Sequence, residues 1–144
     1  MKRLLFILFA VAIAQQASAI EFATVQTATV LYDANSLKSA KLFVIRAGTP
    51  VEIIVNTSGW TKIRDSEGSL AWIEKKFLSS KRSLIVTAER AQIRQRPEEN
   101  APLVFEAEKS VSLEYLETVP GGWAKVKHLD GQSGYIRPYQ VWGL

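Results

Sequence analysis

Hydrophobic and polar residues alternate with a period of two along much of the chain after residue 20. In residues 51–56, Val, Ile and Val alternate with Glu, Ile and Asn, and in residues 60–64 Trp, Lys and Arg alternate with Thr and Ile. Such alternation is typical of β-strands, in which successive side chains point to opposite faces. Turn-forming residues follow, including the Asp-Gly pair at 130–131, which favours a hairpin. No segment after residue 20 has a clear helical period, so we predict an all-β protein.

The N-terminal segment has a different pattern. Lys2 and Arg3 precede an unbroken run of eleven apolar residues at 4–14, and an Ala-Ser-Ala sequence ends at Ala19. A basic start, a short apolar run and a small-x-small site are typical of a secretory signal peptide. Eleven helical residues rise only about 16 Å, roughly half of a bilayer core, which argues against an uncleaved anchor. We predict a signal peptide at residues 1–19, cleaved after Ala19.

The location of the mature protein follows from this leader. No second apolar run has the length of a membrane span. We therefore expect a periplasmic or secreted protein with no stable membrane span after cleavage. A buried first helix is the alternative to a leader.

The chain after the leader contains the same pattern twice. Residues 59–64 (GWTKIR) recur 63 residues later as 122–127 (GWAKVK), and residues 71–73 (AWI) recur at the same offset as 134–136 (GYI). A fixed offset of this kind indicates two copies of one structural unit. Two units of about 60 residues fill the mature chain.

The repeat suggests where the domains begin and end. Upstream, residues 28–30 align with 91–93 at the same offset of 63. A sheet of this size can bury both faces only if it curls on itself. We predict two small β-barrels in tandem, at residues 22–79 and 84–144, joined by a polar linker at 80–83.

The motifs of the second copy resemble those of the bacterial SH3-like (SH3b) domain family. Residues 91–97 (AQIRQRP) resemble its opening strand and loop, 122–127 its G-W-x-K-V-R strand, and 130–136 (DGQSGYI) its hairpin. The first copy matches less fully, because Leu31 stands where Arg is expected and Ala71 where Gly is expected. The resemblance implies SH3-like barrels of five or six strands, which bind cell-wall peptides or other exported proteins.

Composition excludes several classes of function. After residue 19 the chain carries 16 basic and 14 acidic residues and no Cys. The small net charge argues against a nucleic-acid partner, and the lack of Cys excludes a disulfide scaffold and thiolate metal sites. No His, Asp or Glu residues have the spacing of a metal site, and no glycine-rich loop is suited to phosphate. We therefore expect no metal and no cofactor.

Two groups of charged residues have alternative interpretations. His128, the only His, lies near a hairpin tip, where a solvated turn residue is the simpler interpretation and a general base the alternative. We predict no catalytic residues and no enzyme activity, while a hydrolase that uses His128 stays open. Basic residues near the linker, Lys75, Lys76, Lys81 and Arg82, indicate either a solvated segment or attraction to an anionic envelope polymer or phospholipid.

Aromatic and charged residues near the predicted loops are the candidates for ligand binding. In an SH3-like barrel, the groove is framed by the loop after the first strand and the turn before the Gly-Trp strand, here 32–40 and 56–60 in the first copy and 95–102 and 118–123 in the second. Trp offers a flat apolar surface and an N–H donor, and charged residues pair with peptide ammonium and carboxylate groups. The candidates are Tyr32, Asp33, Trp60, Arg94, Arg96, Trp123, Tyr139 and Trp142.

These observations predict a non-catalytic adaptor that recognises peptidoglycan peptides or an envelope protein. The alternative is a structural subunit whose barrels pack on each other or on a partner, with no wall ligand. Barrel core is the alternative role of four aromatic residues, Trp60, Trp72, Trp123 and Tyr135. The sequence makes no prediction of the oligomeric state.

Overall fold

The structure, a computed structural model, describes residues 18–144, and these form two β-domains. The predicted signal peptide at 1–19 lies outside the described residues except for Ser18 and Ala19, which are exposed. Among the described residues, no helix is both long and apolar enough to cross a membrane.

The first domain is one antiparallel sheet of seven strands. They are β1 (Phe22–Val25), β2 (Thr29–Tyr32), β3 (Lys41–Ile45), β4 (Pro50–Asn56), β5 (Trp60–Arg64), β6 (Leu70–Glu74) and β7 (Leu78–Ser79). Their order in the sheet is β3-β2-β6-β5-β4-β1-β7. A 3₁₀ turn, Lys75–Phe77, connects β6 to β7.

The second domain repeats this arrangement. Its strands are β8 (Ser83–Val86), β9 (Arg90–Arg94), β10 (Leu103–Glu108), β11 (Ser112–Thr118), β12 (Ala124–Lys127), β13 (Ser133–Ile136) and β14 (Val141–Trp142). Their order is β10-β9-β13-β12-β11-β8-β14, with a 3₁₀ turn, Pro138–Gln140, before β14. Ser83, which the sequence placed in the linker, is the first residue of β8.

Each sheet curls around its own hydrophobic core. The first core contains Val25, Leu31, Ile45, Val51, Ile63 and Ile73, and the second contains Leu84, Ile93, Ala107, Leu113, Val126 and Ile136. Because six strands of one sheet contribute to a single cluster, the sheet must wrap around that cluster. The all-β prediction with two SH3-like units in tandem is confirmed. Each sheet has seven strands rather than five or six, since a two-residue strand after the 3₁₀ turn pairs with β1 or β8.

The strand register corrects the alignment of the two copies. Tyr32 pairs with Trp72, and Arg94 pairs with Tyr135. Tyr32, rather than Leu31, therefore occupies the position of Arg94, and the offset in this part of the repeat is 62 and not 63. The predicted alignment of residues 28–30 with 91–93 was wrong by one residue.

The cause of this shift is one additional residue in a turn. Three residues, 57–59, connect β4 to the Gly-Trp strand in the first domain, whereas four residues, 119–122, do so in the second. The offset therefore changes from 62 before the turn to 63 after it. A one-residue shift moves every side chain of a strand to the other face, so the buried residues fix the register.

The two domains pack against each other through their first and last strands. The Phe22 and Trp142 rings meet edge to face, with centroids 5.1 Å apart. The hydroxyl groups of Thr24 and Ser83, both buried, share a hydrogen bond of 2.8 Å. The linker is thus short and its two ends are held together.

Arg82 and Gly143 complete the junction. The Arg82 guanidinium lies 5.2 Å from the ring centroids of both Phe22 and Tyr115, and it donates a hydrogen bond to the Gly143 carbonyl. Gly143 has a φ of 114°, and a Cβ there would lie 3.3 Å from Cβ of Pro50. The close approach of the domains therefore requires glycine at this position.

Candidate functional site

Four aromatic residues lie on the outer faces of the two sheets. Trp60, Trp72, Trp123 and Tyr135 are half-buried, and none belongs to either hydrophobic core. Their neighbours along the strands, such as Thr61 and Ile73, are the residues with no exposed surface. The interpretation of these four aromatic residues as barrel core is therefore wrong.

In the first domain these residues form a mainly aromatic surface. Trp72 pairs with Tyr32 on one side and with Lys62 on the other, so the three side chains lie in a row across the sheet. The Tyr32 ring, 7% exposed, meets the Trp60 ring edge to face at a centroid distance of 5.4 Å. Glu74 pairs with Trp60. We call these five residues, Tyr32, Trp60, Lys62, Trp72 and Glu74, the first-domain patch.

The equivalent surface of the second domain is cationic. Tyr135 pairs with Arg94 on one side and Lys125 on the other. The Arg137 guanidinium lies 5.1 Å from the centroid of the Trp123 ring, within the range of a cation–π contact. We call Arg94, Trp123, Lys125, Tyr135 and Arg137 the second-domain patch.

Arg137 also fixes the long loop of the second domain. Its side chain is 9% exposed and donates two hydrogen bonds to the Glu99 carboxylate, one of them 2.7 Å long from Nε to Oε1. Arg94 donates from Nη1 to the Ala101 carbonyl at 2.9 Å. Two guanidinium groups of the patch therefore hold residues 95–102 beside Trp123. The two loops predicted to frame the groove meet through Arg137.

The two patches differ in charge although they occupy equivalent positions. The first contains one cation, Lys62, and one carboxylate, Glu74, whereas the second contains three cations and takes its carboxylate from Glu99 of the loop. Glu74 and Arg137 are equivalent positions at the offset of 63, so the repeat reverses the charge there. The first patch is suited to neutral apolar groups. Because Arg137 is buried and paired with Glu99, Arg94 and Lys125 are the cations that the second patch offers to a ligand carboxylate.

The other predicted residues have separate positions. The Asp33 carboxylate accepts a hydrogen bond of 3.0 Å from the Ala40 amide and closes the loop between β2 and β3. Arg96 is exposed and pairs with Glu98 at 3.5 Å. Trp142 lies on Phe22 at the domain junction, away from either patch.

Tyr139 extends the second-domain patch toward solvent. It is 74% exposed and follows Pro138, whose Cγ lies 3.8 Å from where a Cβ of Gly122 would be. Gly122 immediately precedes Trp123, so Tyr139 is near the turn of the predicted groove. Its exposed ring is free to contact a ligand.

Sequence reasoning missed Glu99, Lys125 and Arg137. Glu99 and Arg137 are 38 residues apart, and no local pattern connects them. The signal that could have identified Arg137 is the change from Glu74 at the same position of the repeat.

Three of the four basic residues near the linker have partners. Lys76 pairs with Glu74 at 3.5 Å, Lys81 pairs with Glu114 at 3.4 Å, and Arg82 is held at the junction. Arg82 therefore has a structural role, whereas Lys75 is exposed without an ion pair in residues 18–144, and the exposed pairs of Lys76 and Lys81 are weak. Attraction to an anionic polymer stays a prediction for these lysines.

His128 lies in a hairpin turn beside Asp130. The His128 Nδ1 is 3.2 Å from Oδ1 of Asp130, and the imidazole ring is 5.7 Å from the Phe105 ring. A hydrogen bond from the Gln132 amide, and then the contact with His128, lower the pKa of Asp130 below its usual value. In residues 18–144, no group of three or more His, Asp and Glu residues is arranged to hold a metal ion.

Comparisons with known proteins agree with the duplication. The family model described as "Bacterial SH3 domain" matches the chain twice, at residues 16–80 and 87–143. The search of curated proteins gave no match.

Three solved structures show distant likeness. NlpC2 from Trichomonas vaginalis is 15% identical, with 86% of this chain and 48% of that chain covered and a TM-score of 0.39. A NlpC/P60 family protein from Bacillus cereus is 14% identical, with coverage of 85% and 56% and a TM-score of 0.39. NlpC1 from Trichomonas vaginalis is 14% identical, with coverage of 89% and 47% and a TM-score of 0.37. This chain spans about half the length of these structures, and likeness this distant assigns no activity.

Proposed function

Because the chain belongs to the bacterial SH3 domain family, we propose that it is an exported, non-catalytic protein that binds peptidoglycan peptides. The second-domain patch is the proposed site. Cell-wall peptides carry both carboxylate and ammonium groups, and the patch offers two half-buried cations, Arg94 and Lys125, on either side of Tyr135. The loop carboxylates Glu98 and Glu99 lie at its border.

The arrangement of Trp123, Arg137 and Glu99 is the observation that carries this proposal. A buried guanidinium bound to a loop carboxylate fixes that loop next to a half-exposed indole. A site whose elements are held in place before binding loses less conformational entropy when the ligand arrives.

A retention assay with purified sacculi tests the proposal. We expect the mature protein to sediment with sacculi and Trp123→Ala to be retained at least about tenfold less, since aromatic contacts at the centre of an interface contribute most of its energy. Trp142→Ala is the control for loss of an indole and of stability, because Trp142 lies at the junction and not in the patch. We expect this variant to be retained as the wild type is. Equal retention of wild type and Trp123→Ala would contradict binding through this surface.

Lack of catalysis is part of the proposal and has its own test. We expect no soluble fragments when the protein is incubated with sacculi, because His128, the only imidazole of the chain, is paired with Asp130 in a hairpin turn. Fragment release that is lost in His128→Ala would instead identify a hydrolase.

Export is proposed from the N-terminal sequence. We expect N-terminal sequencing of the protein from the cell envelope or medium to begin at Ile20. Recovery of a chain that begins at Met1 would contradict cleavage after Ala19.

A structural subunit is the second candidate, and the packing of the domains favours it. The pair of Phe22 and Trp142 and the buried hydrogen bond of Thr24 to Ser83 are what such a subunit needs. This candidate predicts no retention on sacculi and a stable complex with an envelope protein. Retention that depends on Trp123 separates the two.

A further inference from the structure

Strand β3 ends the first sheet and exposes apolar side chains. It pairs with β2 alone, so one of its edges is unpaired in the described part of the chain. Leu42 and Phe43 are each 45% exposed and Val44 is 65% exposed. The strand contains no Gly or Pro. An exposed apolar edge strand of this kind is a template for pairing with another chain.

The equivalent strand of the second domain, β10, is protected from pairing with another chain. At the offset of 62, Val44 corresponds to Glu106 and Arg46 to Glu108. Charged side chains on an edge strand, Lys in particular, hinder pairing with other chains. The only charged residue of β3, Lys41, lies at its first position, so the middle of this strand is uncharged. Val44 thus occupies the position at which the second copy carries a protective charge.

Each of the two strands has one Phe, Phe43 in β3 and Phe105 in β10, and the surroundings of these two residues also differ. Phe105 packs on the second core and lies 5.7 Å from the His128 ring. Phe43 occupies the same register position, opposite Leu31, yet it is 45% exposed. The residue equivalent to His128 at the offset of 63 is Asp65, which offers no ring to cover it.

Basic residues surround the exposed edge and define what can bind there. Lys41 begins β3, Lys38 precedes it and Arg46 follows it, and residues 34–46 contain no Asp or Glu. Lys38 and Lys41 form no ion pair within residues 18–144. The surface is complementary to an apolar segment with acidic residues at its ends.

We propose that β3 binds an extended polypeptide segment of a partner protein, apolar in its middle and acidic at both ends, as an added strand of the first sheet. Backbone hydrogen bonds along the free edge supply affinity, and the exposed apolar and basic side chains supply specificity. This surface is separate from the second-domain patch, so the inference goes beyond the proposed function.

Titration with a synthetic peptide tests the inference. The probe is an alternating Val and Thr sequence with Glu residues at both ends, and the comparison peptide carries Lys at both ends. We expect the Glu-flanked peptide to bind the full mature protein and Val44→Glu to bind it at least about tenfold more weakly, because a carboxylate then lies on the edge. Glu106→Gln, at the equivalent position of β10, is the matched control and should bind as wild type does.

A second variant tests the role of the basic residues without changing the folded core. Lys38→Glu combined with Lys41→Glu changes no buried residue, and we expect it to prefer the Lys-flanked peptide. Weaker binding by Val44→Glu supports the inference only if the circular dichroism spectrum of this variant matches that of the wild type. If the spectra differ, the peptide preference of the charge-reversed variant is the test.

Three results would overturn the inference. The first is failure of wild type to bind the Glu-flanked peptide, and the second is equal binding by wild type and the charge-reversed variant. The third is sedimentation of the wild type as a dimer that the Val44→Glu substitution dissociates and that the peptide does not dissociate. This result would identify a second copy of the chain as the occupant of the β3 edge. Because Trp123→Ala leaves β3 intact, peptide binding by that variant keeps this test independent of the sacculus assay.

Discussion

The Phe22 ring meets the Trp142 ring edge to face, with centroids 5.1 Å apart and ring planes at 85°. Phe22 begins the first strand of the first domain, and Trp142 ends the last strand of the second. The two ends of the described chain therefore contact each other directly. The duplicated units are joined by this contact as well as by the linker.

Loss of the Trp142 ring should weaken the coupling of the two domains. We expect Trp142→Ala to lower the free energy of unfolding by about 1 kcal/mol or more, since an edge-to-face pair contributes about that much beyond its buried area. Urea unfolding followed by circular dichroism should show one transition in the wild type and a broader or double transition in the variant. Tyr139→Ala, which removes an exposed ring, is the control and should unfold as the wild type does. An unchanged transition in Trp142→Ala would contradict coupling through this contact.

Removal of the Arg137 guanidinium should release the loop at residues 95–102. Arg137→Gln loses the bidentate contact with Glu99 and the contact with Trp123. Because Glu99 is 66% exposed, solvent screens the ion pair, and we expect a loss of only about 1–2 kcal/mol of stability.

Hydrogen exchange of the loop amides measures that release. We expect faster exchange in residues 95–102 of Arg137→Gln and wild-type exchange in Arg96→Gln, because Arg96 forms an exposed pair within the loop. Equal protection of the loop in both variants would show that Arg137 does not hold it.

The fold could be predicted because its signals are local. The alternation through β5 places Thr61 and Ile63 in the core, and the recurrence of Gly-Trp shows the duplication. The alternation depends on residues a few positions apart, and the duplication is shown by short motifs that recur 63 residues later. The same alternation set Trp60 opposite Thr61 and Ile63, but the sequence left barrel core open as the role of Trp60, and only the structure places it on the outer face.

The candidate site could be predicted only in part, because its contacts are long-range. Trp60 and Trp123 were identified from their strand motif, and both lie on the outer surface. Trp142 was assigned to the groove, but packing with Phe22, 120 positions earlier in the chain, places it at the junction. Residues 51–54 match residues 113–116 at an offset of 62, but the sequence analysis aligned the opening strand at 63, so Tyr32 was not matched to Arg94.

Gly134 should not tolerate Ala, although Ala71 occupies the equivalent position of the first copy. A Cβ at Gly134 would lie 2.6 Å from Cγ2 of Ile93 and 2.7 Å from the Arg94 carbonyl oxygen. The first copy has Ala71 at this position, and it has Leu31, which lacks a branch at Cβ, where the second has Ile93. We expect Gly134→Ala to destabilise the protein by about 1–3 kcal/mol, as overpacking of a core does.

Thermal unfolding measures the effect at Gly134. Gly131→Ala is the matched control for backbone strain, since Gly131 has a φ of 95° but nothing within 4 Å of its Cβ position. A smaller loss in Gly134→Ala than in Gly131→Ala would contradict steric crowding as the reason for glycine.

Asp130 should make the hairpin between β12 and β13 sensitive to acid. Its carboxylate accepts a hydrogen bond of 2.9 Å from the Gln132 amide, and this bond, followed by the contact with His128, lowers the pKa of Asp130 below its usual value. A carboxyl group with a lower pKa in the folded state stabilises that state at pH values above its unfolded pKa, and the contribution disappears as the pH falls through the folded pKa.

We therefore expect Asp130→Asn to melt at a lower temperature than the wild type at neutral pH and at the same temperature as the wild type in strong acid. Melting curves across the acid range provide the measurement, and Glu108→Gln controls for the loss of one negative charge. A difference between wild type and Asp130→Asn that grows on acidification would show that the sign of this linkage is wrong.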